Sequence, residues 1–425
     1  MNYNQNEKLN QVSETTLIIG VDIASVTNYA RAFDWRRREV GKLCRFTNTL
    51  EGFQTFVSWA SDIKTRNKLE KIIVAAEPTG HYWFGLADYL KDQEIKLVLV
   101  NPYHVKQCKE LDDNLPSKTD AKDPKTIANL AIDGRYMEPY IPEGVYASIR
   151  IVYNCKINED KRLVSLENRI KRWLKIWFPE FLDVFGKLNG IGSLTILKAA
   201  PLPQEIIALG ADGINKLWRA KKLRALGLKR ATSLYEAAIS SIGRKEGAEG
   251  ARYEFDLLME DYEHSLNRRA EIIDKLSMLL KEIPNADKLL KIKGIGVVSV
   301  AGFFAEVGDL GRFKSPKQIQ KLAGLALREN SSGTHKGMTT ISKRGRHRLR
   351  AILFQAAISL VGLNAVYNDM HKYYTTRTAN PLKKKQSIVA ISCKLLRVIY
   401  AVALKGKDYD EKQMLQDIHR PELTA

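Results

Sequence analysis

The strongest constraint on this chain is an acid set inside an apolar run. Thr15 to Ala24 reads TTLIIGVDIA, a buried-strand candidate that carries Asp22. A carboxylate there is costly to bury unless it is paired or holds a metal. Asn28 to Trp35 and Gly41 to Thr49 follow as strand-length segments bounded by polar or glycine positions, so a three-stranded meander is expected. Phe53, Phe56, Val57 and Ala60 then recur at helical spacing, and Lys71 to Ala76, KIIVAA, returns to a strand-length run that ends on a second acid, Glu77. A helix from about His81 to Leu90 and a strand at Lys96 to Val100 come next. The last helix starts near Asp123 and Pro124 and runs to Ile132, since Pro suits the first helical position and Asp the cap before it.

Three strands, helix, strand, helix, strand, helix is the order of an RNase H-like α/β domain. In that fold the first strand, the end of the fourth and the last helix converge on one edge of the sheet. Asp22, Glu77 and the pair Asp120 and Asp123 in SKTDAKDP would then share a cleft. Four carboxylates suit hard magnesium ions, which take oxygen ligands and clamp the attacking and leaving oxygens of a phosphodiester. Each acid also has a structural use: Asp22 could satisfy strand-end amides, Glu77 could pair with a lysine, and Asp120 or Asp123 could cap the helix. The GVDIAS opening occurs in actin-like ATP-dependent kinases as well, but no second phosphate loop is found and the charge argues against a small-metabolite kinase.

That charge is a formal +20, with a pI near 9.6, and it favours a polyanion through counterion release. No apolar run approaches the roughly 20 residues of a membrane span, so no membrane partner is expected. Cys44, Cys108, Cys155 and Cys393 lie too far apart for a zinc site or a disulfide framework and read as reduced thiols of a cytoplasmic protein. At 425 residues the chain exceeds one compact core. The expected division is an α/β domain at 1–144, a helical or coiled-coil connector with a basic insertion at 145–285, and a mainly helical C-terminal domain at 286–425. In the connector, Leu163, Leu166, Ile170, Leu174 and Trp177 form one apolar stripe and Ala270, Ile273, Leu276, Leu280 and Ile283 another. They fit an antiparallel helix pair or a coiled-coil dimer contact. A glycine-flanked turn occurs twice, at Gly190–Ile191–Gly192 and Gly294–Ile295–Gly296, each leading into an apolar helical stretch, and resembles the hairpin by which a helix start approaches a phosphate.

Between Lys336 and Arg350 stand six Lys or Arg and no acid, dense enough to meet a phosphate backbone. Lys336, Lys343, Arg344, Arg346, Arg348 and Arg350, with Lys118 beside the paired acids, are the candidate nucleic-acid contacts. Ser331, Ser332 and Gly333 occupy a loop before this segment. A serine hydroxyl beside cations is better placed to attack a phosphodiester, although a Ser-Ser-Gly turn alone would need no such role.

Taken together these motifs resemble one family, the DEDD insertion-sequence transposases described as bridge-RNA-guided recombinases. The resemblance spans nearly the whole chain. It is carried by Asp22 in IIGVDIA, Glu77 in EPTGHYW, Asp120 and Asp123 in KTDAKD, and the segment IKGIGVVSVAGFFAEVGDLGRFKSPKQIQKLAGLALRENSSG with ISKRGRHRLR. It implies a RuvC-like domain binding magnesium, a helical connector used in dimerisation, and a nucleophilic Ser332 that forms a covalent phosphoserine link to DNA. It further implies a composite site in a dimer or tetramer, and a structured noncoding guide RNA pairing with donor and target double-stranded DNA. Leu327 stands where the family usually has Pro, Ser331 duplicates the serine, and extra length between Pro201 and Tyr253 includes WRAKKLRALGLKR, either a nucleic-acid contact or a solvated helix face.

The leading expectation is therefore magnesium-dependent cleavage and exchange of DNA through a serine-linked intermediate. A junction-resolving nuclease that uses water is the first rival, and a non-catalytic nucleic-acid-binding or scaffolding protein the second.

Overall fold

The computed structural model describes residues 5–112, 123–328, 331–332, 335–336 and 339–415. The chain forms two compact units, Met1–Ile141 and Pro142–Ala425.

The first unit is α/β. In chain order it contains α1 (Gln5–Leu9), β1 (Thr16–Asp22), β2 (Thr27–Phe33), β3 (Cys44–Thr47), α2 (Leu50–Arg66), β4 (Lys71–Ala76), α3 (Trp83–Asp92), β5 (Lys96–Val100), α4 (Pro102–Asp112), α5 (Asp123–Ile132) and β6 (Tyr136–Met137). The strands make one sheet in the order β3-β2-β1-β4-β5-β6. The meander β1–β2–β3 is antiparallel, β1–β4 and β4–β5 are parallel, and β6 closes the edge antiparallel to β5. β1 is central and buried from Thr16 to Val21 because helices cover both faces. Leu17, Ile19, Val21, Val74 and Ala76 pack with α2 and α3 on one side. Ile18, Ile73, Ala75, Val98 and Val100 pack with α5 on the other. Thr49 caps α2, its hydroxyl accepting from Gly52 N at 3.1 Å, and Phe53, Phe56, Ala60 and Ile63 form the buried stripe.

The second unit is mostly helical. It opens with α6 (Gly144–Trp177), continues through α7 (Phe181–Phe185), α8 (Ile191–Ala199), α9 (Pro203–Ala220) and α10 (Leu228–Ile239), and returns along α11 (Ala248–Lys281). α6 and α11 lie antiparallel: Trp173 Nε1 donates to Ala251 O at 3.0 Å, and Arg269 Nε meets Asp160 Oδ1 at 2.8 Å. The helices that carry the two apolar stripes thus pair antiparallel within one chain, but the stripes do not face each other: Leu163 to Trp177 pack with Ala251, Phe255 and Tyr262, whereas Leu276, Leu280 and Ile283 pack with Ile149 and Tyr153. α12 (Ala286–Leu290), α13 (Val297–Val307), α14 (Pro316–Leu322), β7 (Leu327–Arg328), β8 (Ser331–Ser332), β9 (His335–Lys336), β10 (Thr340–Ile341), α15 (His347–Leu363), α16 (Ala365–Thr376), α17 (Lys384–Lys405) and α18 (Glu411–Leu415) complete it. Two hydrophobic cores form along the long pair. One gathers α7 to α10 around Trp218, Phe255 and Tyr262, and the other gathers the C-terminal helices around Phe303, Phe304 and Tyr367.

One expectation needs correction. α17 is long and apolar enough to cross a membrane by length and composition, although no run of that kind was expected. Ile391, Leu395, Leu396 and Val402 are buried in the C-terminal core, which accounts for its hydropathy. All four cysteines are free, and burial pushes the Cys44 thiol up to about 11.

Candidate functional site

The parallel pairing of β1 with β4 matches Val21 to Ala76, so Asp22 and Glu77 follow side by side at the same ends of adjacent strands. Alternation along a strand sends every second side chain to one face. Ile18 and then Gly20 and Asp22 continue one series on the α5 side, and Ile73, Ala75 and Glu77 continue the other. Asp123 is the first residue of α5, the helix that packs on that side. The approach is closer than any side chain allows: a Cβ built on Gly20 would lie 1.8 Å from Pro124 O and 2.8 Å from Ala128 N. The first turn of α5 therefore rests directly on β1, two residues before Asp22, and Asp22, Glu77 and Asp123 belong to one face and one edge of the sheet. All three are intermediate in exposure, and the apolar residues beneath them are buried. Asp120 and Lys118 lie outside the described residues.

Two residues that the sequence reading passed over fix the turn after Asp22. Asn28, fully buried in β2, accepts from Ala24 N at 3.0 Å and donates to Asn48 Oδ1 at 2.8 Å, while Asn48 Nδ2 donates to Ala24 O at 2.7 Å. A polar side chain at a buried strand position was the available signal.

Carboxylate oxygens are the donor set a hard divalent cation takes, and the space above Gly20 that brings α5 to β1 supplies the common face. Among the described residues no three His, Cys, Asp or Glu side chains close into a metal cage by themselves. Asp22, Glu77 and Asp123 share this edge without closing into such a group.

The serine segment is strand rather than loop. β8 pairs antiparallel with β9, Ser331 opposite Lys336 and Ser332 opposite His335, because its backbone groups find partners there instead of water. Outside it β7 pairs with β10, Leu327 opposite Ile341 and Arg328 opposite Thr340. The ribbon's base is tied to α14: Ser342 N donates to Ala326 O at 2.8 Å and Lys343 N to Gly324 O at 3.0 Å. Gly345, at φ 149°, sits where a Cβ would come 2.4 Å from Leu322 O.

The basic candidates divide here. Arg350 Nη1 donates to Ala323 O at 2.9 Å and Lys343 O at 3.3 Å, clamping the ribbon base. Arg346 donates to Glu306 O and lies 3.7 Å from the Glu306 carboxylate, and Arg348 Nη1 reaches Asn154 Oδ1 on α6 at 2.9 Å. Lys343 and Arg344 are exposed. Under this corner burial pushes the Tyr153 hydroxyl up to about 12, the Asp160 and Glu306 charges adding to it and Arg348 opposing.

A family model described as "Transposase IS116/IS110/IS902 family" matches residues 286–375, the span that holds the ribbon. A second model, of the IS110 type of DEDD transposase, matches residues 19–179, the span that holds the acids. The chain belongs to this transposase family. A pilin gene-inverting protein of Moraxella bovis is 23% identical to the transposase over 399 residues, 93% of this chain and 98% of its own length. Its counterpart in Moraxella lacunata is 28% identical over 55% of this chain and 73% of its own length. The transposase for insertion sequence element IS1111A of Coxiella burnetii is 26% identical over 35% and 42% respectively. The transposase is thus an enzyme that acts on DNA, and the DEDD class implies dependence on a divalent metal.

Proposed function

We propose that this transposase cuts and rejoins DNA by magnesium-dependent transesterification through a covalent link to Ser332. The observation that carries the reading is the shared edge of Asp22, Glu77 and Asp123, built on adjacent parallel strand ends and the helix that rests on Gly20. The strand order and the position of these acids support an RNase H-like, RuvC-like domain. With Asp120, they would hold magnesium, which when bound neutralises charge on the phosphodiester oxygens. The Ser332 hydroxyl oxygen attacks phosphorus, a P–O bond to the DNA strand breaks, and the departing sugar oxygen takes up a proton. The phosphoserine ester preserves the phosphate as an ester, so a hydroxyl of another DNA end reverses the attack and frees the serine without an external energy source. The Moraxella relatives are named for inverting a pilin gene, which fits the same cut-and-rejoin chemistry.

Lys118, Lys336, Lys343, Arg344, Arg346, Arg348 and Arg350 are assigned to the phosphate backbone, with Arg346 and Arg350 also bracing the fold. Donor and target double-stranded DNA, a bridge RNA that supplies sequence choice by pairing, and a dimer or tetramer in the cytoplasm complete the proposal. A division at 1–144, 145–285 and 286–425 belongs to the same proposal, with the core around Phe303 and Phe304 also taking in Ile149, Tyr153, Leu276 and Leu280 of the connector.

The test is a denaturing gel of purified protein with its co-purified RNA, magnesium and labelled element-end DNA. Wild type should yield protein-linked DNA, Ser332→Ala none, and Asp22→Asn or chelation neither adduct nor cut strand. Free cut ends without any adduct would replace the serine mechanism by a water-using junction nuclease; binding without breakage would leave only a scaffold.

A further inference from the structure

We infer that the lobe formed by α8, α9 and α10 is a second DNA-docking surface, one that grips the phosphate backbone of duplex DNA without regard to sequence. It lies between residues 179 and 286, outside both family matches, and the inference does not depend on the serine or metal assignments. From Lys216 to Arg230 the chain carries Lys216, Arg219, Lys221, Lys222, Arg224, Lys229 and Arg230, and no acid occurs anywhere between Asp212 and Glu236. All seven cations are exposed. None of them is in an ion pair among the described residues. Among the described residues their side chains make weak contacts, Arg219 Nη1 to Leu223 O at 3.4 Å and the Arg230 guanidinium 5.8 Å from the Phe185 ring centre.

A solvated charge run on a flexible tail would share this composition, but here the cations are mounted on a core. Trp218, fully buried, donates from Nε1 to Gly192 O at 3.0 Å, and the Leu226 side chain lies against Gly192 at the start of α8. Ala231 and Leu234 bury the opposite side of α10. The α9–α10 turn is therefore pinned from beneath while its charges point out, so little ordering is needed on binding. Three of the seven are arginines, whose forked donors match a phosphate. Duplex DNA is the occupant these facts favour, because it is the polyanion this enzyme acts on and it presents about one charge per 1.7 Å of axis.

The decisive measurement is the salt dependence of full-length protein binding to a labelled random-sequence duplex, from about 50 to about 200 mM salt. The variant carries Lys221→Gln, Lys222→Gln and Arg224→Gln; the control carries Lys42→Gln, Lys68→Gln and Lys281→Gln, the same charge change on other exposed positions. Each lost phosphate contact removes about 0.9 from the slope of log K against log salt, so the lobe variant should flatten it by about 2 to 3 and weaken binding at least about tenfold, with the melting temperature and the control unchanged. Equal weakening by the control would reduce the effect to net charge and overturn the proposal. So would unchanged duplex binding, including the case in which only binding to a structured RNA of equal length is lost. Loss of adduct formation in Ser332→Ala with the lobe's salt slope intact would leave this inference standing, and the reverse result would leave the serine reading standing.

Discussion

The acid edge of the α/β unit and the basic ribbon of the helical unit are built by the same device and held by different forces. At each, a glycine admits a backbone that a Cβ would exclude: Gly20 under Pro124 O, and Gly345 against Leu322 O. Around Gly20 the neighbours are buried and apolar, Ile18, Ile73, Ala75, Ile127 and Ala128, so the helix that carries Asp123 is seated on β1 by packing. Around Gly345 the neighbours are the Leu322 carbonyl and the Gly324 amide, and Arg350 holds Ala323 and Lys343 together. Close packing tolerates no added volume, whereas a polar clamp at a half-exposed corner can loosen without collapsing the domain. The carboxylates are thus rigidly placed, and the ribbon is tethered.

On that contrast, Gly20→Ala is expected to be the most damaging small change in the molecule. The new methyl would overlap the Pro124 carbonyl, and neither the central strand nor the first turn of α5 can move without opening the core. A loss of about 3 kcal/mol or more is expected, and activity should fall further than the folded fraction does, because any relief shifts Asp123 away from Asp22. Thermal unfolding and strand-cleavage assays on the same preparation check both parts. A variant that melts like wild type would show that α5 is free to slide and would undo the contrast.

What could be read beforehand divides along the same line. The runs at Lys71–Ala76 and Lys96–Val100 and the helix at Asp123–Ile132 have their observed boundaries in the sequence, because a buried strand or helix face writes its own apolar pattern. β6 is two residues long and α4, with His104, Lys106 and Gln107 among its residues, is largely polar, so neither announces itself. The three described acids were legible as acids in or beside apolar runs. Gly20 was not, since its importance lies in a helix a hundred residues away. Ser331 and Ser332 read as a loop because a two-residue ladder depends on its partner rather than on its own pattern. The arginines of the ribbon read as free cations for the same reason: the carbonyls of Glu306 and Ala323 that engage Arg346 and Arg350 are remote in sequence.

A smaller effect should separate the clamp from the DNA contacts. Arg350→Ala removes a charged donor from two carbonyls, Ala323 O and Lys343 O. Such bonds contribute about 1.5–3 kcal/mol when buried, and the half-exposed position should lower this to about 1 kcal/mol. Amide exchange at the Ser342 and Lys343 N–H groups should quicken while exchange in β1 stays slow. If β1 and the ribbon loosen together, the two regions are not independently held.

The finest test is Lys343→Gln. Lys343 is exposed at φ 55°, a left-handed conformation that strains Lys and Gln alike and that the contacts with Gly324 and Arg350 hold in place. Its ammonium group braces nothing described in the fold, so thermal stability should change by less than about 0.5 kcal/mol. If the side chain meets a phosphate, the salt slope of DNA binding should still fall by about 1. Arg350→Ala should show the opposite pairing, a lower melting temperature with a smaller change in slope. Should Lys343→Gln destabilise the protein as much as Arg350→Ala does, the ribbon's charges would all be structural. DNA contact would then have to be sought on other cations.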